Sequence, residues 1–418
     1  MSARTISPNM ALDQLVAERR ARGEDILHLG FGESRLPVFP ALVERLTAGA
    51  RRSAYGPVVG DLGARQAVAG WFARRRLPTD PAQIVLAPGS KPLLMALQMA
   101  VPGDVVLPRP AWNTYAPQAT AMGKRVYRLA VPDDCGGVPR PRLLRRVVQQ
   151  ARAAGGDPRI VVLTLPDNPT GTHAPPALIR ELCAIARELD LLIVSDEIYR
   201  DVLHDPDAPF LSPAEVAPER TVVTTGLSKN LALGGWRVGA ARFPEGALGE
   251  EMCAAVASVA SEVWSNLAGP MQEVAAYAFA EPAELSAHIA RSTRLHATVA
   301  HAVYELLTAA GVSCRRPTGA FYLYPDMEAA RQALAWLGVQ DSASLEHRFL
   351  EHAKVAVLGG HHLGDRPHAL RFRIATCQLY GATDELQQQA LDAADPLRLP
   401  HVSRALSRIE ESLVKLFH

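Results

Sequence analysis

Ile160-Val161-Val162-Leu163 and Leu191-Leu192-Ile193-Val194 are near-continuous apolar runs, and between them Leu178, Leu182, Ile185, Ala186 and Leu189 recur at helical spacing. A strand wetted on one side alternates apolar and polar residues, whereas one apolar throughout is covered on both faces. Strand, helix and strand of this kind predict a layered α/β unit. Working outward, residues 84–86, 104–107 and 222–223 read as further buried strands and 92–101 as a helix. This unit is placed at 46–280. Beyond residue 281 the character shifts to long amphipathic helices such as 291–310, with short strands expected within 319–324 and 370–376. That region reads as a smaller α+β domain, and residues 1–45, with little periodic structure of their own, are expected to pack on it. No internal repeat or low-complexity tract is visible.

Composition narrows the function classes. At 418 residues the chain has room for two domains and a large core. A net charge of +1 leaves no electrostatic footprint for nucleic acid or an anionic membrane. The five cysteines are odd in number, widely spaced and without a C-x-x-C pair, which suits reduced thiols in a cytoplasmic protein. Residues 1–20 lack the apolar core of a signal peptide, and no apolar run reaches membrane-spanning length.

Four motifs fall at strand-to-helix junctions, where open α/β sheets gather their ligands. Ala87-Pro88-Gly89-Ser90-Lys91 follows the strand at 84–86 and opens a helix. The Ser90 and Lys91 amides there suit a phosphate, an ordinary capped helix start being the alternative. Asp167-Asn168-Pro169-Thr170-Gly171 is either a plain turn or a loop whose Asn168 amide bonds a phenolate-like cofactor oxygen. Ser195-Asp196-Glu197-Ile198-Tyr199 ends the run at 191–194. A carboxylate at a buried strand end is costly unless paired. Asp196 is therefore a helix cap or the partner of a pyridinium nitrogen, which it would keep protonated as an electron sink. The fourth motif is Thr225-Gly226-Leu227-Ser228-Lys229, with Arg237 eight residues after the lysine. Lysine is scarce, five of the 44 basic residues. A primary amine captures a carbonyl as an imine, which a permanently protonated guanidinium cannot do. Serine and arginine beside it suit a phosphate. Together they suggest an aldehyde cofactor carrying a phosphate, which is pyridoxal 5'-phosphate (PLP), a surface Ser-Lys on a loop being the alternative.

With these motifs the chain resembles the class I/II aminotransferases of PLP fold type I over nearly its whole length. Further matches are Gly32-Glu33 with Pro37, Tyr55 with Gly60, and Pro110-Ala111-Trp112-Asn113-Thr114-Tyr115. Pro317-Thr318-Gly319-Ala320-Phe321-Tyr322, Gly359-Gly360 with Gly364, and Arg373-Ile374-Ala375 complete the set. The resemblance implies a large α/β domain, with a mostly parallel seven-stranded sheet between helices, plus a smaller α+β domain. It implies an aminotransferase that moves an amino group between an α-amino acid and a 2-oxo acid through a Lys229 aldimine, in a homodimer with shared active sites. By the same resemblance Lys229, Asp196 and Tyr199 are catalytic, and Lys229 is the base that moves a proton from Cα to C4'. Asn168 and Tyr199 would hold the ring oxygen and Trp112 would stack on the ring. Gly89, Ser90, Lys91, Ser228 and Arg237 would form the phosphate site, with Tyr55 reaching the phosphate of the neighbouring subunit. Gly32, Asn168 and Arg373 would bind the substrate α-carboxylate.

The chain also departs from that pattern. Gly226 stands where many members have a serine, so one phosphate ligand is lost or replaced by another donor. Gly359-Gly360-His361-His362 replaces the commoner Pro-Gly near the substrate entrance. The two histidines are either exposed loop residues or contacts to a polar or anionic substrate. No metal site is expected, because no carboxylate or cysteine lies at ligand spacing beside them. Arg35 is either solvated or a ligand for a distal acidic group. Arg371 should share a strand face with Arg373 and is the alternative carboxylate ligand. The same residue set also serves PLP-dependent lyases, β/γ-replacement enzymes, carbon–carbon bond-forming synthases and amine oxidases, which makes another PLP reaction the alternative activity. A ligand sensor on the same fold is disfavoured, since such regulators usually carry an N-terminal DNA-binding domain and only residues 1–45 precede the large domain here.

Overall fold

A computed structural model describes residues 6–416. Among the described residues the strands are, in chain order, β1 (Leu27–His28), β2 (Ile84–Ala87), β3 (Asp104–Arg109), β4 (Val126–Ala130), β5 (Pro158–Thr164), β6 (Leu192–Asp196), β7 (Thr221–Gly226), β8 (Gly239–Arg242), β9 (Tyr322–Leu323), β10 (Val355–Ala356), β11 (Leu358–Gly359) and β12 (Phe372–Ala375). Strands β2 to β8 form one seven-stranded sheet in the order β2-β8-β7-β6-β5-β3-β4, and only β8 runs antiparallel to the rest.

The two-residue period of a strand explains why these runs are apolar throughout. Val105, Leu107, Ile160, Val162, Leu192 and Val194 point to one face, against Leu93 and Leu97 of the helix Ser90–Ala100 and Met252 and Val256 of Ala247–Val263. Val106, Val161, Leu163 and Ile193 point to the other, against Leu144 and Val148 of Pro141–Ala153 and Leu182 and Ala186 of Pro176–Glu188. Both faces are covered. Two strands of the sheet had no sequence signal. β4 is an edge strand with a single buried residue, and β8 reads Gly-Ala-Ala-Arg, residues of low strand propensity that pairing on both sides nevertheless holds extended.

A second core gathers the N-terminal segment and the C-terminal third. β1 pairs in parallel with β10, and β11, β12 and β9 form an antiparallel sheet. Leu27, Leu295, Val303, Phe321 and Phe372 pack together there. The helix Pro40–Gly49 instead sends Leu42 into a core with Val68, Phe72 and Val274. The long helix Ala283–Ala309 joins the two cores, with Leu285 in the latter and Leu295 to Leu307 in the former. No helix among the described residues is long and apolar enough to cross a membrane.

Candidate active site

A cavity of about 400 Å³ opens beyond the carboxyl ends of the sheet strands. All four sequence motifs meet in it: Ser90 and Lys91 after β2, Asn168 after β5, Asp196 and Tyr199 at the end of β6, and Ser228 and Lys229 after β7. Trp112, after β3, and Arg237, before the antiparallel β8, join them, as do Gly32 and Arg373 from the second core. Parallel strands put every carboxyl end on one edge, so side chains far apart in sequence converge without long loops.

Asp196 is buried, its Oδ2 accepting a 2.7 Å hydrogen bond from the Tyr115 hydroxyl and its Oδ1 a 3.2 Å bond from Thr224. Burial raises its pKa from 3.8 to about 6, while the bonds from Tyr115 and Thr224 pull it back down. Next to it, Glu197 is also buried, but Arg200 at 2.6 Å and Ser195 at 2.9 Å compensate its charge and anchor the strand end. Lys229 donates a 2.6 Å hydrogen bond from Nζ to the Gly32 carbonyl. Burial lowers its pKa from 10.5 to about 8, with smaller effects from Cys377, which raises it, and Arg373, which lowers it. A desolvated amine of this kind is partly neutral, hence nucleophilic, near neutral pH.

Arg373 lies on β12 and is 1% exposed. Its Nη2 donates to the Gly30 carbonyl at 2.7 Å and its Nη1 to Asn168 Oδ1 at 3.1 Å, while Nε has no partner. A buried guanidinium with an orphaned donor is arranged for an anion from outside the chain. Asn168 is itself set by its turn, in which the Thr170 amide and hydroxyl both donate to Asp167 Oδ2, at 3.1 and 2.6 Å. At the other end, Gly89 adopts φ +88°, and a Cβ there would lie 2.2 Å from Arg237 Nη2, so glycine lets the guanidinium reach the helix start at Ser90.

The residues that depart from the family pattern, and those read with two alternatives, lie as follows. Arg371 does not line the cavity: it is taken up by Asp326 at 2.7 Å and Asp365 at 3.2 Å. Arg35 is outside the cavity, in ion pairs with Glu33 at 3.1 Å and Asp13 at 3.6 Å. A carboxylate does lie beside the histidine pair, since Glu346 Oε2 is 3.3 Å from His362 Nε2. Gly226 has a packing reason, because a Cβ there would sit 2.6 Å from the Val238 carbonyl oxygen. Tyr55 is 88% exposed and does not line the cavity of its own chain.

Among the cavity residues to which the sequence assigned no role, Tyr115, Tyr322 and Glu33 shape the site. Tyr115 orients Asp196 and also bonds Thr164 at 2.8 Å. The Tyr322 hydroxyl meets that of Tyr199 at 2.7 Å, and the Arg373 guanidinium carbon lies 4.8 Å from the Tyr322 ring centre. Burial holds the Tyr199 hydroxyl well above its ordinary pKa and raises that of Tyr322 to about 12, so both stay protonated donors. Glu33 brings a carboxylate to the rim. Tyr115 and Tyr322 stood in quoted motifs, but nothing local tied either one to its partner.

The chemistry of this donor set fits PLP. A buried acid suits a protonated ring nitrogen, a desolvated lysine suits an aldehyde, and a glycine cradle beneath an arginine suits a phosphate. The order of the sheet together with this site defines a fold-type-I transferase. The chain belongs to the aminotransferase class I and II family, whose pattern it matches over residues 24–384. It is 31% identical over 373 residues to an aspartate/prephenate aminotransferase of Thermus thermophilus, covering 85% of this chain and 88% of that one. It is 29% identical over 388 residues to an aspartate aminotransferase of Bacillus subtilis, covering 90% and 93%. A solved structure of the Thermus thermophilus aspartate aminotransferase with maleate superposes with a TM-score of 0.82 at 27% identity, covering 98% of this chain and 97% of that one. Enzymes of this family are PLP-dependent, and the chain is an aminotransferase by this membership.

Proposed function

We propose that the protein exchanges an amino group between a 2-oxo acid and a 2-amino acid carrying a second, distal carboxylate, with PLP held in this cavity. When bound, PLP supplies an electron-withdrawing ring that stabilises negative charge at the substrate Cα. Asp196 would hold the protonated ring nitrogen, Asn168 and Tyr199 the ring oxygen, and Trp112 the ring face. Ser90, Lys91 through its amide, Ser228 and Arg237 would take the phosphate. Arg373 holds the substrate α-carboxylate, with Asn168 and the Gly32 backbone assisting. Lys229, with its pKa near 8, would take the proton from the substrate Cα and pass it to the cofactor's C4'.

One observation carries the substrate class. After each cofactor group and the α-carboxylate have a partner, the Lys91 ammonium remains in the cavity, its Nζ 5.4 Å from the centre of the Trp112 ring. Among the described residues the lysines in ion pairs are Lys354 and Lys415, not Lys91. Glu33, the other charged group at the rim, is already paired with Arg35. A distal carboxylate would give that ammonium an ionic partner, and the names of the relatives agree with an aspartate-like donor. A donor panel read by keto-acid release tests this. Aspartate or glutamate should be favoured over alanine and phenylalanine, and Lys91→Ala should cut that preference by roughly 10-fold or more, the worth of one charged hydrogen bond. Preference for an uncharged side chain that Lys91→Ala leaves unmoved would refute the assignment.

The same reading includes a homodimer in which the exposed Tyr55 reaches its partner's phosphate site. It places the enzyme in the cytoplasm, in keeping with five cysteines that form no disulfide. It divides the chain into a large unit at 46–280 and a smaller one made of 1–45 with 281–418, a division that the pairing of β1 with β10 supports. The packing of Leu42 favours a boundary a few residues before 46.

A further inference from the structure

Away from the cavity, Glu346, His361 and His362 each bring one ligand atom within 4.8 Å of the other two. Glu346 comes from the helix Ser342–His352, and the histidines from the single 3-10 turn Gly360–Leu363 that follows β11. We propose that these three side chains form a site for a divalent transition cation of the zinc class, bound by two imidazoles and one carboxylate with a remaining position open to water.

Neighbouring groups already aim the ligands. The Gly359 amide donates to Glu346 Oε2 at 2.8 Å, fixing the carboxylate. A Cβ on Gly359 would lie 2.5 Å from that oxygen and 2.7 Å from the His361 ring, so only glycine lets the two converge. Ser342 sets the tautomer of His361. Its hydroxyl donates its one proton to the Arg371 carbonyl at 3.0 Å, so at 3.1 Å from His361 Nδ1 it can only accept. Nδ1 therefore carries the hydrogen and Nε2 keeps its lone pair for a metal, the outer-shell arrangement that ligating histidines use. His362 Nε2 and Glu346 Oε2 stand 3.3 Å apart. Bonds of about 2.0–2.1 Å in a tetrahedron put ligand atoms roughly 3.3 Å apart, so this edge is already at its bound length. His361 has only to close in. Two nitrogens and one oxygen favour zinc, nickel or cobalt over magnesium or calcium, which take oxygen ligands. All three side chains are partly exposed, which leaves an entry path and room for a water.

The site sits on the second core, where β11 pairs Leu358 with Arg373 and the Leu363 carbonyl accepts from the Ala111 amide at 3.0 Å. Calorimetric titration of the cofactor-loaded protein with zinc, and cobalt substitution read by visible absorbance, test the proposal. One equivalent should bind with tetrahedral cobalt bands, and both signals should vanish in His362→Gln and in Glu346→Gln. Ser342→Ala, which keeps all three ligands, should weaken binding by roughly 10-fold at unchanged stoichiometry. Absence of saturable binding in the micromolar range overturns the proposal. So does binding that survives both ligand substitutions, which would assign the metal to exposed histidines such as His347.

Discussion

Replacing Asp196 with asparagine should stabilise the cofactor-free protein while weakening its hold on PLP. The carboxyl is 2% exposed, and burial lifts its pKa from 3.8 to about 6. About two pKa units at 1.4 kcal/mol each make the buried charge cost about 3 kcal/mol at pH 7. The sign follows from where the proton sits. The folded protein binds it more tightly than the unfolded chain, so this contribution to stability is fully present below about pH 3.8 and is lost as pH rises through about 6. Asparagine has the same shape without the charge, and the Tyr115 and Thr224 hydroxyls can still reach it. In urea denaturation the cofactor-free Asp196→Asn protein should gain up to about 3 kcal/mol at pH 7, falling to roughly half that at pH 5. PLP affinity, followed by cofactor release, should fall in the same variant because the ring nitrogen loses its counter-charge. A cofactor-free variant less stable than the parent at pH 7, or a gain that ignores pH, would refute this account of the buried acid.

Three further outcomes follow from the geometry. Cofactor capture, timed by the rise of visible absorbance on mixing, should accelerate with pH through about 8 as the Lys229 amine loses its proton, and Lys229→Ala should show no capture at any pH. Arg373→Ala should lower kcat/KM for amino acids by roughly 100-fold more than for amines without a carboxylate, since two charged hydrogen bonds at about 1.5 kcal/mol each are removed; an equal loss for both would point to misfolding. Gly226→Ser should destabilise the protein by about 1–3 kcal/mol in chemical denaturation, because its Cβ meets the Val238 carbonyl oxygen at 2.6 Å. Unchanged stability would mean that β7 and β8 can part there at little cost.

Most of the sheet was legible because a strand covered on both faces announces itself locally. Residues 160–163 and 191–194 needed no partner to be recognised. β4 and β8 were not legible, since an edge strand need not be apolar and Gly-Ala-Ala-Arg owes its conformation to the strands beside it. In the cavity, the short motifs carried Ser90, Asn168, Asp196 and Lys229, each at a strand end where backbone geometry alone points toward the site. The choice between Arg371 and Arg373 turned on carboxylates that arrive from elsewhere in the chain, since Asp326 and Asp365 take up Arg371 and leave Arg373 in the cavity.

Sequence alone determined the layer architecture and the chemistry on offer: an amine, an acid and a phosphate cradle, each at the end of a predicted strand. Those are properties of short segments, and periodicity and turn residues record them. Tertiary structure alone decided the partnerships. Tyr115 holding Asp196, Tyr322 meeting Tyr199 and Glu346 arriving beside His362 join residues from separate elements. It also decided the charge states, because the pKa of about 6 at Asp196 and of about 8 at Lys229 come first from the exclusion of water. No short stretch of sequence records how deeply the rest of the chain will bury it.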